Sequence, residues 1–236
     1  MEFIKLSNRL EALASFVKDG ACVADIGTDH GYIPVWLAQH GCVSKIAAAD
    51  INKGPLEHAK ETAEQFGVSH AIRFELCSGL QFDGSEGYDT VIIAGMGGEL
   101  IASILQDAPV SNLAQRTFIL QPNSRIAYLV AWLQEHGYAV RETKLVKDAG
   151  KLYQILVVSF GDMPVIEKEA DRMVLHHYFD KKDPLLGEYL DTILKKYRAM
   201  EQGMLKGKEA DPALEETRAM IRDLTEMKEA AAQWQL

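Results

Sequence analysis

The sequence predicts an α/β protein in which a seven-stranded, mostly parallel sheet is covered by helices and followed by a helical domain. Three observations support this prediction. A glycine-containing loop at 25–31 joins an apolar run to a helical run. Short strand-like runs then alternate with helix-like runs, as in right-handed crossovers. The last two strand-like runs, 138–146 and 152–160, lie too close for a crossover helix between them, so they must form an antiparallel hairpin.

The elements follow one another in a regular order. Apolar residues at helical spacing predict a leading helix over 8–17, which ends before Gly20. The predicted strands cover residues 21–26, 44–50, 71–76, 88–94, 116–121, 138–146 and 152–160. The predicted helices after the leading one cover residues 32–40, 53–66, 98–107 and 124–136. We therefore expect five parallel strands and then the antiparallel hairpin, whereas a dinucleotide-binding Rossmann sheet closes with a sixth parallel strand.

The pattern changes after residue 161, so we divide the chain into domains at 1–161 and 162–236. Residues 166–179 predict one helix with a broad apolar face. Two longer helices follow, beginning near Asp183 and near 213. Their apolar residues repeat at spacings of four and three, which is typical of a coiled-coil seam. The predicted seam residues are Leu186, Leu190, Ile193, Tyr197, Met200 and Met204 on the first helix, and Leu214, Thr217, Ile221, Leu224, Lys228 and Ala231 on the second.

Composition and charge exclude several classes of protein. No run of 18 apolar residues is present, and residues 1–6 lack a signal-peptide pattern, so we expect a cytoplasmic protein with no membrane association. The three cysteines are an odd number without metal-ligand spacing and are expected to be free thiols. The net charge of −9 argues mildly against non-specific nucleic-acid binding but leaves a local basic patch open. The seven histidines show no ligand spacing either, so we predict no metal; we also expect a monomer.

The loop Asp-Ile-Gly-Thr-Asp-His-Gly at 25–31 carries the strongest functional signal. Glycines allow a ligand to approach the backbone, and the following helix offers unpaired N–H groups. Asp25 is expected to accept hydrogen bonds from the backbone of this loop. A dinucleotide site requires G-x-G-x-x-G, but here Asp29 stands where the middle glycine would be. A carboxylate would repel a pyrophosphate and tolerate a cation, which favours S-adenosylmethionine (SAM), with its sulfonium and ammonium groups, over NAD.

Two further polar positions follow the second and third strands. Asp50 ends the second strand, where a carboxylate can accept from both ribose hydroxyls, although it could also cap the next helix. Ser78 follows the third strand, where the adenine of the cofactor usually lies. Its hydroxyl is a neutral and therefore weaker acceptor than a carboxylate. A simple loop is the alternative interpretation of that segment.

The fourth and fifth strands end in two more candidate segments. Residues 94–98 contain three glycines, which would leave backbone groups exposed to a flat substrate. Gln-Pro-Asn at 121–123 follows the next strand, and Asn123 offers donors and acceptors that suit the edge of a base, or else a helix cap. Neither segment contains an Asn-Pro-Pro-Tyr motif or a Pro-Cys nucleophile, so we expect no covalent activation of a base carbon.

Positive charge is concentrated at the final hairpin, in Arg141, Lys144, Lys147 and Lys151. In an acidic protein this cluster is a candidate phosphate contact, and a solvated turn is the alternative.

Five motifs together resemble the bacterial TrmK family of SAM-dependent tRNA methyltransferases, which modify N1 of adenine 22. They are Arg-Leu at 9–10, Asp-Ile-Gly-Thr-Asp-His-Gly-Tyr at 25–32, Ala-Gly-Met-Gly-Gly at 94–98, Gln-Pro-Asn at 121–123 and Gly-Lys-Leu-Tyr at 150–153. The resemblance implies a class I methyltransferase sheet, a C-terminal coiled-coil domain, SAM as cofactor and tRNA as substrate. Ser78 departs from the Asp that is commoner in the family.

The resemblance also implies roles for individual residues. The implied cofactor site comprises Asp25, Gly27, Thr28, His30, Gly31, Asp50, Ser78, Gly79 and Leu80, and we extend it to Arg9, Ile51, Ala94, Gly95 and Met96. The predicted substrate contacts are Gly97, Gly98, Gln121, Pro122 and Lys151. Asp29 and Asn123 are the candidate catalytic residues.

Three rival functions remain open at this point. A methyltransferase acting on a small molecule or a protein would bind SAM without modifying RNA, and the acidic charge favours it slightly. A nicotinamide oxidoreductase is disfavoured by the missing G-x-G-x-x-G and by the terminal hairpin. A non-catalytic module that binds a protein through its helical hairpin is disfavoured by the intact segments 94–98 and 121–123.

Overall fold

A computed structural model of the protein describes residues 2–109, 113–206 and 212–234. The contacts divide the chain into two compact units, residues 1–165 and 166–236, and each is described by itself. Within the described residues, no helix combines the length and the apolar character needed to cross a membrane.

The first unit is built on one seven-stranded sheet, which confirms the predicted fold class. The strands are β1 (Cys22–Ile26), β2 (Lys45–Asp50), β3 (Ile72–Leu76), β4 (Thr90–Gly97), β5 (Thr117–Ser124), β6 (Tyr138–Asp148) and β7 (Lys151–Phe160). Their order is β3-β2-β1-β4-β5-β7-β6. The first five pair in parallel, whereas β7 lies antiparallel between β5 and β6.

Five helices flank this sheet: α1 (Asn8–Ala14), α2 (Tyr32–His40), α3 (Lys53–Gln65), α4 (Gly98–Gln106) and α5 (Ile126–Glu135). The central strands are buried on both faces, because Val91, Ile92 and Ile93 of β4 are all inaccessible to solvent. A strand without an exposed face needs a continuous apolar run, and such runs are the pattern from which these strands are predicted.

Two strands extend further than their sequences suggest. β4 continues through the glycines to Gly97, and β5 continues to Ser124. The two extensions pair with each other, with irregularities around Met96. Gly95 has a φ of 78°, a left-handed conformation that suits glycine and accommodates the irregularity. The candidate segments at 94–98 and 121–123, which were expected to follow strands ending at 94 and 121, are therefore mostly strand.

The second unit is helical. It contains α6 (Glu169–Met173), α7 (His177–Asp180), α8 (Leu186–Leu205) and α9 (Leu214–Ala232). The single helix predicted over 166–179 is wrong, because Val174 leaves the helical conformation at φ −127° and ψ 85°. Both Val174 and Leu175 are 1% exposed, so the break lies in a buried part of the chain.

The two long helices form an antiparallel hairpin. Arg218 of α9 contacts Glu201 of α8 at 3.0 Å, and nearer the other end Lys228 pairs with Asp191. Residues 207–211, between the two helices in the sequence, lie outside the described residues. Several predicted seam residues are buried, but Met200 is 41% exposed and does not contribute to a buried seam. The coiled coil itself stays a prediction.

Candidate active site

A cavity of about 910 Å³ opens at the carboxyl ends of the parallel strands in the first unit. The strand order reverses between β1 and β4, and ligands of open α/β sheets bind at such a switch point. Most of the predicted site residues line this cavity: Arg9, Asp25, Gly27, Thr28, Asp29, His30, Asp50, Ile51, Ser78, Gly79, Ala94, Gly95, Met96 and Asn123.

Two predicted cofactor contacts do not line the cavity. Gly31 lies against α3, where an added Cβ would stand 2.9 Å from the Cβ of Ala59. Leu80 is 1% exposed and belongs to the apolar core. Each is next in the chain to residues that do line the cavity, which are His30 and Tyr32 for Gly31 and Gly79 for Leu80.

The five predicted substrate contacts also lie outside the cavity lining. Gln121 is fully buried, and Pro122 beside it is buried as well. Gly97 and Gly98 lie against the end of β5 and the residue after it: a Cβ on Gly97 would stand 3.3 Å from Oγ of Ser124, and one on Gly98 would stand 2.5 Å from the carbonyl oxygen of Arg125. Lys151 is exposed at the start of β7.

The cavity also contains residues that sequence reasoning missed. They are Lys5 and Ser7 ahead of α1, Leu10 on α1, Ile26 at the end of β1, Tyr32 and Ile33 at the start of α2, Asn52 and Cys77 after β2 and β3, and Leu100 and Ile104 on α4. Leu100 and Ile104 are four residues apart on one helix that begins next to the glycines of β4, so helical spacing could have indicated them. The N-terminal segment carries no such signal.

The loop after β1 is held by its neighbouring strand. The backbone N–H groups of Gly27 and Thr28 donate to the carbonyl of Ala49 at 2.8 and 3.1 Å. Asp25 instead accepts a hydrogen bond from the Thr28 hydroxyl at 2.7 Å. The expectation that Asp25 binds the loop through backbone N–H groups is thereby corrected.

Asp25 is a buried carboxyl group with an unusual pKa. Burial raises the pKa of Asp25 to about 6; the hydrogen bond from Thr28 opposes the rise, and the negative charge of Asp50 adds to it. Both acids end adjacent strands, β1 and β2, and both line the cavity. Asp50 also accepts the Asn52 N–H at 2.8 Å in the turn before α3, whose N-cap position is Asn52 rather than Asp50.

Asp29 stands in the same loop with a strained backbone. Its φ of 49° is uncommon for a residue other than glycine, although Asp and Asn tolerate it better than most. Its side chain is 67% exposed, and one of its oxygens lies 3.7 Å from Nε2 of His30. Strain of this kind concentrates at functional sites. The position therefore fits a carboxylate that is presented to a ligand.

Three aromatic rings form a stack beside Asp29. The His30 ring lies 5.4 Å from that of Tyr32 and 5.3 Å from that of His58, with interplanar angles of 14° and 11°. Ligand atoms of Asp29, His30 and His58 fall within 4.8 Å of one another, so these histidines do meet in space, contrary to the sequence pattern. Imidazole lone pairs lie in the ring plane, and parallel planes do not converge on one ion. The arrangement suits stacking better than chelation, and the absence of a metal stays a prediction.

Hydrogen bonds join several polar groups on the side of the cavity formed by β4 and β5. Gln121 accepts from Arg9 at 2.7 Å and from the Gly95 N–H at 3.2 Å, and it donates to Asn123 at 2.9 Å. Asn123 in turn donates to the Gly95 carbonyl at 2.7 Å. Asn123 is part of β5, and the N-cap position of α5 is Arg125, so Asn123 does not have the alternative capping role.

The residues present fit SAM. The carboxylates of Asp25 and Asp50 line one cavity without a cation paired to either in the described residues, so a ligand with positive charge offsets their burial. Carboxylates also accept from ribose hydroxyls, and Gly95 lines the cavity with no atom closer than 3.8 Å to the place where its Cβ would stand. SAM supplies an electrophilic methyl group on a sulfonium, which the chain must hold in line with a nucleophile.

The fold and the cavity define a class I methyltransferase, and the comparisons agree. Residues 6–156 match the family model described as a methyltransferase domain, so the chain belongs to that family. The tRNA (adenine(22)-N(1))-methyltransferase of Bacillus subtilis (strain 168) is 35% identical over 69% of this chain and 68% of its own length. The chain is therefore a member of the TrmK family.

Solved structures support the same assignment. Sp1610 of Streptococcus pneumoniae, in complex with S-adenosyl-L-methionine, is 31% identical with a TM-score of 0.82, covering 95% of this chain and 100% of its own. TrmK of Bacillus subtilis, an m1A22 tRNA methyltransferase, is 27% identical with a TM-score of 0.75, covering 97% and 98%. The cofactor of this enzyme is SAM.

Proposed function

We propose that this protein transfers the methyl group of SAM to N1 of adenine 22 in tRNA, acting in the cytoplasm as a monomer. Membership of the TrmK family supports the reaction, because the relative with 35% identity is named for methylation at that position. The shape of the cavity supports it independently.

One observation carries the proposal: the cavity presents two chemically different sides. Asp25 and Asp50 provide carboxylates on one side, suited to the cofactor. Asn123 lies on the other side and uses one N–H of its amide for Gly95 and one lone pair for Gln121. Its second N–H and second lone pair are left for a ligand. A neighbouring donor and acceptor fit the edge of a nucleobase.

The reaction needs little proton chemistry. N1 of neutral adenine has an in-plane lone pair and attacks the methyl carbon directly; the carbon–sulfur bond breaks and its electron pair stays on sulfur. Most of the rate then comes from alignment of N1, methyl and sulfur. The product base is cationic, so a nearby carboxylate stabilises the developing charge. We assign this role to Asp29, which is presented at the mouth of the cavity.

The target base must leave its stacked position before it can react. Unstacking a nucleotide costs a few kcal/mol, which tRNA contacts elsewhere must offset. Lys144, Lys147 and Lys151 on the β6–β7 hairpin are candidate phosphate contacts. The antiparallel helices α8 and α9 are the second candidate surface.

Incubation with radiolabelled SAM and an unmodified tRNA transcript tests the proposal. We expect label as 1-methyladenosine at position 22, located by nuclease digestion and mass spectrometry. A transcript with guanine at position 22 is the matched control and should stay unlabelled. SAM binding without labelled RNA would instead favour a small-molecule or protein substrate, and failure to bind SAM would contradict the assignment of the cavity.

A further inference from the structure

Gln121 has no direct access to the cavity, yet its amide joins three of the groups around it. It is fully buried near the end of β5. Its Oε1 accepts two hydrogen bonds, from Nη1 of Arg9 and from the Gly95 N–H, and its Nε2 donates to Oδ1 of Asn123. A buried amide with all these partners has one orientation that satisfies them.

The direction of this hydrogen-bond chain is fixed at both ends. A guanidinium can only donate, so Arg9 requires an acceptor and receives Oε1 of Gln121. Nε2 must then donate, which requires Oδ1 of Asn123 to accept. The Asn123 amide consequently directs Nδ2 to the Gly95 carbonyl, which can only accept. The donor and acceptor of each hydrogen bond therefore follow from the Arg9 guanidinium, which can only donate.

We infer that Gln121 is a positioning residue that sets which way round the Asn123 carboxamide faces the substrate base. The inference rests on the proposed function, since Asn123 is assigned there to the base. Reversal of the Asn123 amide would place Oδ1 against the Gly95 carbonyl, two acceptors in contact, and Nδ2 against the Gln121 amide nitrogen, two donors. Both hydrogen bonds would be lost, and the donor and acceptor offered to the base would exchange places.

Gln121→Glu tests this with almost no change in shape. The carboxylate keeps its acceptors for Arg9 and Gly95, and it pairs with the Arg9 cation. Its second oxygen cannot donate, so Asn123 must turn its Nδ2 toward residue 121 and give up the Gly95 carbonyl. Gln154→Glu is the matched control, because Gln154 is also buried in this sheet, at 1% exposure on β7, but lies outside the chain of hydrogen bonds that joins Arg9, Gly95 and Asn123.

We expect Gln121→Glu to lower kcat for tRNA methylation at least about tenfold, the effect of losing a directed hydrogen bond to the base. The Kd for SAM should stay within about threefold of wild type, and any loss of thermal stability should be no larger than that of Gln154→Glu, because the carboxylate at 121 pairs with Arg9. An unchanged kcat, or a kcat that falls only in proportion to the folded fraction, would overturn the inference.

A second measurement needs no tRNA, and its result does not depend on how much of the variant is folded. The side-chain amide signals of Asn123 in a ¹H–¹⁵N spectrum, assigned by their loss in Asn123→Asp, report the hydrogen bond to the Gly95 carbonyl. We expect the pair of signals to shift in Gln121→Glu and to keep its position in Gln154→Glu. An unchanged pair would overturn the inference even if the wild-type enzyme methylates adenine 22, whereas a wild type inactive on tRNA would count against the proposed function alone.

Discussion

The side chain of Met96 lies directly over Gly27: a Cβ added to residue 27 would stand 2.1 Å from Cε of Met96. Gly27 belongs to the loop after β1, and Met96 to the irregular end of β4. The two segments approach each other at the switch point of the sheet, and both line the cavity. The glycine therefore has two roles, a left-handed turn and space for a neighbour.

Gly27→Ala should weaken SAM binding at least about tenfold. Its φ of 73° costs an L-residue about 1–2 kcal/mol, and the added methyl must displace the side chain of Met96, which lines the cavity. Gly20→Ala is the matched control, since its φ is 80° but no atom lies within 4 Å of the added Cβ. Calorimetric titration should show weaker binding for Gly27→Ala alone, while both variants lose similar stability. Equal loss of affinity would assign the effect to strain.

Asp25→Asn should stabilise the unliganded protein at neutral pH. The pKa of Asp25 is raised from 3.8 to about 6, so the folded state holds the proton more tightly than the unfolded state. The contribution of Asp25 to the free energy of unfolding is therefore greatest below about pH 4 and decreases as the pH rises toward 6. Above pH 6 that contribution is about 3 kcal/mol lower than at acid pH. Asparagine avoids this loss and can still accept from Thr28. The gain is small at pH 4 and reaches its full size near pH 7 and above.

Urea unfolding of wild type and Asp25→Asn between pH 4 and pH 8 measures this difference. The exposed Asp19→Asn is the control for removing one negative charge. A difference between wild type and Asp25→Asn that does not vary with pH would contradict the assigned cause. SAM affinity should fall in Asp25→Asn at the same time, because the variant lacks the charge that a cationic ligand offsets.

Much of the fold could be predicted because its signals are local. The strands of the sheet are apolar runs, and the short gap between β6 and β7 requires a hairpin. The break at Val174 and the meeting of His58 with His30 could not be predicted, since each depends on distant parts of the chain. The burial of Gln121 could not be predicted either, because it follows from the pairing of β5 with β4, which is distant in the sequence.

Asp29→Asn should reduce kcat about tenfold or more while leaving the fold unchanged. Asparagine tolerates the φ of 49° and matches aspartate in size, so the substitution removes only the charge assigned to stabilising the product cation. Asp29→Ala removes the charge and also strains the backbone, and it should lose thermal stability as well. Single-turnover methylation of tRNA measures the step directly. Full turnover in Asp29→Asn with normal SAM affinity would exclude this role.

Gly98→Ala should destabilise the first unit by about 1–3 kcal/mol. An added Cβ would stand 2.5 Å from the Arg125 carbonyl oxygen, a backbone atom that cannot turn aside, so α4 and the start of α5 must move apart. Gly54→Ala in α3 is the control, since no atom lies within 4 Å of its added Cβ, and alanine should stabilise that helix by about 0.5 kcal/mol. Opposite signs in chemical unfolding are the expected result, and a neutral Gly98→Ala would contradict the close packing.

Removal of residues 166–236 should separate cofactor binding from tRNA binding. Every residue that lines the cavity lies within 1–165, so the shortened chain should bind SAM with the affinity of the full protein. Its affinity for tRNA should fall at least about tenfold if α8 and α9 hold the RNA while the base is flipped, because the cost of unstacking is then no longer offset. Filter binding and calorimetric titration of the same preparation measure the two affinities. If the affinities for SAM and tRNA are both lost, the helices are needed for the structure of the first unit. If both affinities are retained, the tRNA contact is assigned to the basic β6–β7 hairpin instead.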